Sequence, residues 1–386
     1  MKKSFFIFIG LSLLGTAFAF VDQYSGNEFS YKKAAVTETI GIEDKNDSDI
    51  EMQRTEEPEI SPEPSHIKTP DVLRAVYSTM WSVSSEKKRA YLLDIFDKTE
   101  LNSIVIDIKD SAGELAFERL GNLADIVSEL HDKGIYTIAR IAVFQDSRLA
   151  KEDPSFSLKS KKTGELWRDR KGYAWTDPAS EGGWDYNIGI AKRAIDVGFD
   201  EINYDYIRFP TDGNLEDIEY PFWDGVEEKS EVIKRFSAYS KEKLKEYNPD
   251  TKLSIDIFGY TFLEGNGLGI GQKLEYLVDN FDYVYPMVYP SHYSTGNFGF
   301  ANPAEHPYEV VKGTLEQGLE RLGDKKDTAK PKIRPWLQVF DLGATYTPEM
   351  IEKQIRATYA VTGTTTTGWL MWSPSNIYDK AIGIDM

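Results

Sequence analysis

The chain has 386 residues, 45 Lys and Arg against 63 Asp and Glu, a formal charge of −18 and no cysteine. The absent cysteine excludes a disulfide framework, Cys-based zinc and iron–sulfur centres and a thiol nucleophile. The acidic excess opposes phosphate backbones, so no nucleic-acid partner is expected. His66, His131, His292 and His306 are too scattered for an HExxH-type site, and no metal or cofactor is expected.

Residues 1–20, MKKSFFIFIGLSLLGTAFAF, start with Lys2 and Lys3, run through an apolar stretch from Phe5 to Leu14 and reach the small-x-small triplet Ala17-Phe18-Ala19. This pattern predicts a signal peptide over 1–19 and hence a secreted or cell-envelope protein. An uncleaved anchor is the alternative. It would be the source of any membrane contact, because no later stretch offers the ~20 apolar residues of a spanning helix. Residues 20–69 are acidic, punctuated by proline and without hydrophobic period, which predicts a disordered tether. From residue 70 to 386 the composition is that of one large globular domain, expected to be a monomer.

Eight β-rich runs follow: 72–81, 103–109, 135–144, 201–209, 252–258, 283–289, 334–340 and 368–373. Helical patterns occupy 85–98, 120–133, 187–197, 227–247, 270–279, 307–322 and 348–361. Alternating strands and helices imply parallel βαβ units, and eight such repeats predict a (β/α)8 TIM barrel. The runner-up, an open doubly wound sheet, would be expected to carry a Gly-rich phosphate loop after an early strand. None follows the first two strands, and GNGLGIG at 265–271 comes too late and is wrongly spaced.

Side chains alternate across a strand. Ile104, Ile106 and Ile108 share one face, and Val105, Asp107 and Lys109 the other. The same parity turns Asn203 and Asp205, Ser254 and Asp256, and Arg334, Trp336 and Gln338 inward, with Arg140 joining them from the third strand. Burying such groups unpaired costs several kcal/mol each. They are expected to meet one another or to open onto solvent at the carboxyl ends of the strands, where barrel enzymes place their chemistry. A closed structural ion-pair network, such as Asp107 with Lys109 or Arg140, is the alternative.

The segment 198–210, GFDEINYDYIRFP, closely resembles the FDEIxxDYIRFP signature of a bacterial "putative glycoside hydrolase" domain first catalogued as a domain of unknown function. IYTIARIAVFQD (135–146), the loop around Trp175, Trp184-Asp185-Tyr186-Asn187, YVYPMVYPSHY (283–293) and GWLMWS (368–373) also resemble that family. The likeness spans roughly 70–380 and implies a TIM-barrel glycosidase acting on carbohydrate. A more distant likeness to family 18 chitinases covers Phe199, Asp200, Asp205, Met287, Tyr289 and Trp372. Ile207 stands where those enzymes carry the catalytic glutamate, so their substrate-assisted mechanism does not transfer.

Glycosidic hydrolysis needs two carboxyl groups across the scissile bond. Asp205 and Asp256, on adjacent strands, form the expected pair, Asp205 as nucleophile or stabiliser and Asp256 as acid/base, with Asp107 as third candidate. Lys109 and Arg140 are candidates to keep one carboxylate ionised. Arg208 would orient a carboxylate or hold an acidic sugar, or else pair with Asp200 or Asp212. Asn203, Gln338, Tyr289, Trp336, Trp372 and Trp175 complete the expected substrate-binding set. About half of the loop aromatics, which include Trp167, Tyr173, Trp184, Trp223 and Tyr293, are expected to pack rather than stack on sugars. The rival readings are a carbohydrate-binding barrel without catalysis and a metal-dependent hydrolase using Asp107 and Asp256.

Overall fold

The computed structural model describes residues 66–384 apart from 366. The expected signal peptide and most of the expected tether lie outside these residues. The last four tether residues are described, and they touch the barrel: the Ile67 amide donates to Asp200 at 2.7 Å and the Thr69 hydroxyl meets that of Tyr136 at 3.1 Å.

Eight parallel strands close into a barrel in sequence order. They are β1 (Leu73–Ser78), β2 (Ser103–Lys109), β3 (Tyr136–Ala142), β4 (Glu201–Asp205), β5 (Lys252–Phe258), β6 (Tyr283–Met287), β7 (Trp336–Gln338) and β8 (Gly368–Trp372). The long covering helices are α1 (Glu86–Lys98), α2 (Leu123–Asp132), α3 (Glu181–Val197), α4 (Lys229–Tyr247), α5 (Leu274–Asn280), α6 (Pro307–Arg321) and α7 (Pro348–Thr362). After β8 the described chain makes just a 3-10 turn at Asp379–Ala381.

Local sequence explains the boundaries. In α2, Leu123, Ile126, Val127 and Leu130 repeat at helical spacing and are all buried. The Ser180 hydroxyl caps α3 by accepting from the Gly183 amide, and Gly198, at φ +109°, ends it in the left-handed region open to glycine. Thr347 caps α7, with Pro348 in its first turn. Strand β4 stops at Asp205, short of the expected 209, because Tyr206 adopts φ +54°.

Alternation builds two apolar layers. Ile104, Ile106, Ile108, Ile202, Tyr204, Leu253, Ile255 and Ile257 pack under the helices. Val105, Tyr136, Ile138, Tyr285, Trp336 and Leu370 fill the lumen. The loops after β3 and β4 are tied by an antiparallel pair, Lys159–Ser160 with Ile218–Glu219. Among the described residues no helix is long and apolar enough to cross a membrane.

Candidate active site

Strand register sets the mouth of the barrel. Asp107 pairs with Arg140, Arg140 with Asn203, and Asn203 with Ser254, so these four side chains share one level. Asp205 and Asp256 lie two residues further along β4 and β5, one level nearer the carboxyl ends.

Arg140 is the hub. Its Nη1 contacts Asp107 Oδ1 at 2.5 Å, its Nη2 pairs with Asp205 Oδ2, and its Nε lies 3.4 Å from Asp256 Oδ2. Asp205 and Asp256 therefore share one edge of a single guanidinium. The left-handed turn at Tyr206 brings its amide onto Asp205 Oδ1 at 2.5 Å. On Asp256, Oδ1 accepts from Trp336 Nε1 at 2.8 Å and from Asn203 Nδ2 at 3.1 Å. Asp107 Oδ2 accepts from the Tyr77 hydroxyl.

Three carboxyl groups meet one cation in a buried setting. Burial, then the Asp205 charge, pushes the Asp256 pKa up to about 8, against Arg140, Trp336 and Asn203. Burial also raises Asp107, opposed by Arg140 and the Tyr77 hydroxyl. Access is narrow: Asp205 is 7% exposed, Arg140 6%, Asp107 5% and Asp256 1%. Cavities of about 860 and 750 Å³ lie elsewhere, the first at the amino-terminal end of the barrel beside Arg334 and Tyr283, the second between α6 and α7. Neither is lined by these carboxylates. Among the described residues no group of three His, Asp or Glu could hold a metal ion.

Aromatic rings rim the cluster. Tyr77 stacks on Trp372 at 4.0 Å between centroids, and the Arg140 guanidinium lies 5.6 Å from the Trp372 ring. Tyr289 leans on Phe340 and Trp372. Across the mouth, Trp175, Tyr206 and Phe258 surround Arg208 at 4.8–5.2 Å.

Asp107, Arg140, Asn203, Asp205, Asp256, Trp336 and Trp372 thus converge as expected, but several side chains do something else. Lys109 does not enter the lumen. A β-bulge sets Asp107 opposite Arg140 and Lys109 opposite Ile141, reversing the parity of Lys109. Fully buried, it pairs with Asp146 at 2.5 Å and donates to Asn187 at 2.7 Å. Gln338 is sealed too: it accepts from the Ser291 amide and donates to Phe340 and Leu342 carbonyls, fastening loops rather than facing substrate. Trp336 and Asn203 hold Asp256 from behind, and neither offers an open face. Trp175 is 1% exposed, its indole N–H on Asp169, so it walls Arg208 instead of stacking on sugar. Trp167, Trp184 and Tyr293 are buried packing. Arg208 has no ion pair with Asp200, which is occupied by His131, Thr137 and Ile67, and none with Asp212.

Three contributors were not anticipated. Tyr77 shares inward parity with Leu73 and Ala75. Glu201 shares it with Asn203 and lies in the barrel floor, accepting from the Tyr136 and Tyr285 hydroxyls. Tyr206 depends on a left-handed backbone that a non-glycine residue rarely adopts.

The fold is similar to that of a GH31 dextranase from Flavobacterium johnsoniae, solved as a D412A mutant with isomaltotriose (TM-score 0.50, 10% identity, covering 83% of this chain and 38% of that one). It is also similar to Eubacterium rectale Amy13B (TM-score 0.50, 10% identity, 80% and 66% covered). This chain thus spans less than two thirds of each. A hypothetical protein from Ruminiclostridium thermocellum is 36% identical over 47% of this chain and 96% of its own, with a TM-score of 0.41. No curated protein matches the sequence. The model of the family described as "Putative glycosyl hydrolase domain" matches residues 75–378, and the chain belongs to that family.

Proposed function

We propose that the protein hydrolyses O-glycosidic bonds of a polysaccharide, outside the cytoplasm as its leader sequence suggests, with Asp205 as nucleophile and Asp256 as acid/base. The carrying observation is that two neighbouring carboxyl groups, Asp205 and Asp256, share one edge of Arg140 while Asp256 is buried and its pKa pushed up to about 8. Burial and the Asp205 charge keep Asp256 protonated at neutral pH, while Arg140 and the Tyr206 amide hold the two oxygens of Asp205 in place. An Asp205 oxygen attacks the anomeric carbon as Asp256 gives its proton to the departing oxygen. Asp256, now a carboxylate, takes a proton from water, which displaces Asp205 and releases the sugar. The shared guanidinium edge favours the ~5–5.5 Å separation of retaining enzymes over the wider inverting gap. Tyr289 and Trp372 offer rings beside the cluster for a sugar face.

One observation favours a second reading. Asp256 is almost sealed and Arg140 touches all three carboxylates, an arrangement that also suits a carbohydrate-binding barrel without turnover. The purified chain, incubated with a panel of polysaccharides, should release reducing ends, and D205N and D256N should not. Glycan binding that persists in all three proteins, with no turnover in the wild type, would establish the binding reading instead.

A further inference from the structure

Arg208 is held in a manner that the hydrolytic roles above leave unused. Its Nη1 donates to the Phe209 carbonyl at 3.2 Å and to the Thr211 hydroxyl at 3.3 Å, which fixes the orientation of the fork. Trp175, Phe258 and Tyr206 surround the guanidinium at 4.8, 5.0 and 5.2 Å. The residue is 8% exposed, so it is more than nine-tenths buried. Nevertheless Nε and Nη2 have no partner among the described residues, and neither is sealed from solvent. These two nitrogens form the side-on edge of an arginine, the edge that matches a carboxylate with two parallel N–H···O bonds.

A protein with 18 more acids than bases has carboxylates in ample supply. That this buried cation ion-pairs with none of the described acids calls for a physical reason, because burial disfavours its charged form by more than the nearby charges of Asp205, Asp212 and Asp169 favour it. Nearby acids are engaged elsewhere. Asp205 is held by Arg140, Asp169 by Gln145 and Trp175, and Asp212 accepts from the Arg170 amide. The position also fits a ligand-binding group. Tyr206 directly follows Asp205, and Phe258 stands two residues beyond Asp256 on β5. The open edge therefore belongs to the same mouth as the carboxylate pair.

We propose that Arg208 is a specificity-determining residue that receives a carboxylate of an acidic glycan through its Nε–Nη2 edge, either the C6 carboxylate of a hexuronic acid or the lactyl carboxylate of a muramic acid. This deepens the hydrolase reading and rests on it for the location of the substrate. Arg208 also adds a second positive charge to a mouth where three carboxyl groups share the single guanidinium of Arg140, which lessens the repulsion an anionic sugar would otherwise meet.

The test reads binding and turnover separately. Intrinsic tryptophan fluorescence, with Trp175 beside the site, is titrated on the full chain with oligohexuronates, with their carboxyl-reduced counterparts, and with muramic-acid-containing glycan strands. At least one acidic series should bind roughly 10- to 100-fold tighter than its reduced analogue, as expected for a bidentate charged contact. R208Q should remove that preference. R208K, which retains the charge within the aromatic wall but loses the fork, should retain a fraction of it and keeps the test informative if R208Q does not fold. Equal binding of acidic and reduced glycans by the wild type, or an undiminished preference in R208K and R208Q, overturns the proposal. A preference without hydrolysis of any glycan would refute the hydrolase reading and leave the Arg208 assignment standing. Hydrolysis of neutral glycans without a preference would do the reverse.

Discussion

The barrel lumen contains two arginine-centred networks, one at each end, and they are built to opposite rules. At the amino-terminal floor, Arg334 faces one acid, Glu201, at 3.9 Å, stacks on Tyr283 at 3.5 Å, and leaves Glu201 to two tyrosine hydroxyls. One cation meets one acid, and both are sealed at 0–2% exposure. At the mouth, Arg140 meets three acids and the cluster reaches solvent. A buried pair of balanced charge, one cation to one acid, is what fold maintenance requires. A surplus of like charge beneath a narrow opening is destabilising by itself, and it persists where function uses the tension.

That contrast can be broken by exchanging one oxygen for nitrogen at each end. Asp205→Asn should abolish polysaccharide hydrolysis while leaving the urea midpoint unchanged or raised, because it removes one of the competing charges. Glu201→Gln should lower stability by about 3 kcal/mol, since it strands a buried guanidinium, and should leave the turnover of the folded fraction intact. If both variants lose stability and neither affects turnover, the mouth is a second floor.

Asp256→Asn sharpens the comparison in kinetics and in pH dependence. Loss of the acid should reduce kcat by about 10²- to 10⁴-fold, with the wild-type alkaline limb lying near pH 8. Asp256 holds a proton up to about pH 8 when folded and only up to ~3.9 when unfolded. Between these values the native state binds the extra proton, so this group's contribution to stability falls as pH rises through the window and levels off above it. Denaturation curves from pH 5 to 8 should show the wild type losing ground steadily to D256N.

The next effect concerns the cation that left the lumen. Lys109→Met should cost about 3–5 kcal/mol by stranding Asp146, and a matching Asp146→Leu should recover much of it. Neither change should alter the pH–rate profile, because the pair lies outside the lumen. The smallest expected effect is that of Trp336→Phe, which removes one N–H from Asp256. It should cost about 1–3 kcal/mol and shift the alkaline limb upward, since the lost hydrogen bond favoured the ionised carboxyl.

Much of the mouth was legible because period-two alternation is a strong signal. An aspartate on the face opposite alternating apolar residues of a strand has few homes other than the lumen. The same rule failed at Lys109, where one extra residue in β2 reverses the face and carries no side-chain signature. It failed again at Gln338 and Trp336, which point inward as expected but below the surface that a substrate would reach. Parity reports the direction of a side chain and not its depth. Tyr206 needed a backbone angle that sequence hardly encodes, and the open edge of Arg208 required knowing which acids were already engaged.

The most direct test of the central claim is a carboxyl ¹³C NMR titration of Asp256 in the wild type and in D205N. A midpoint near pH 8 is expected in the wild type, moving down when the Asp205 charge is removed. A midpoint in the ordinary carboxylate range in the wild type, unchanged in D205N, would contradict that claim.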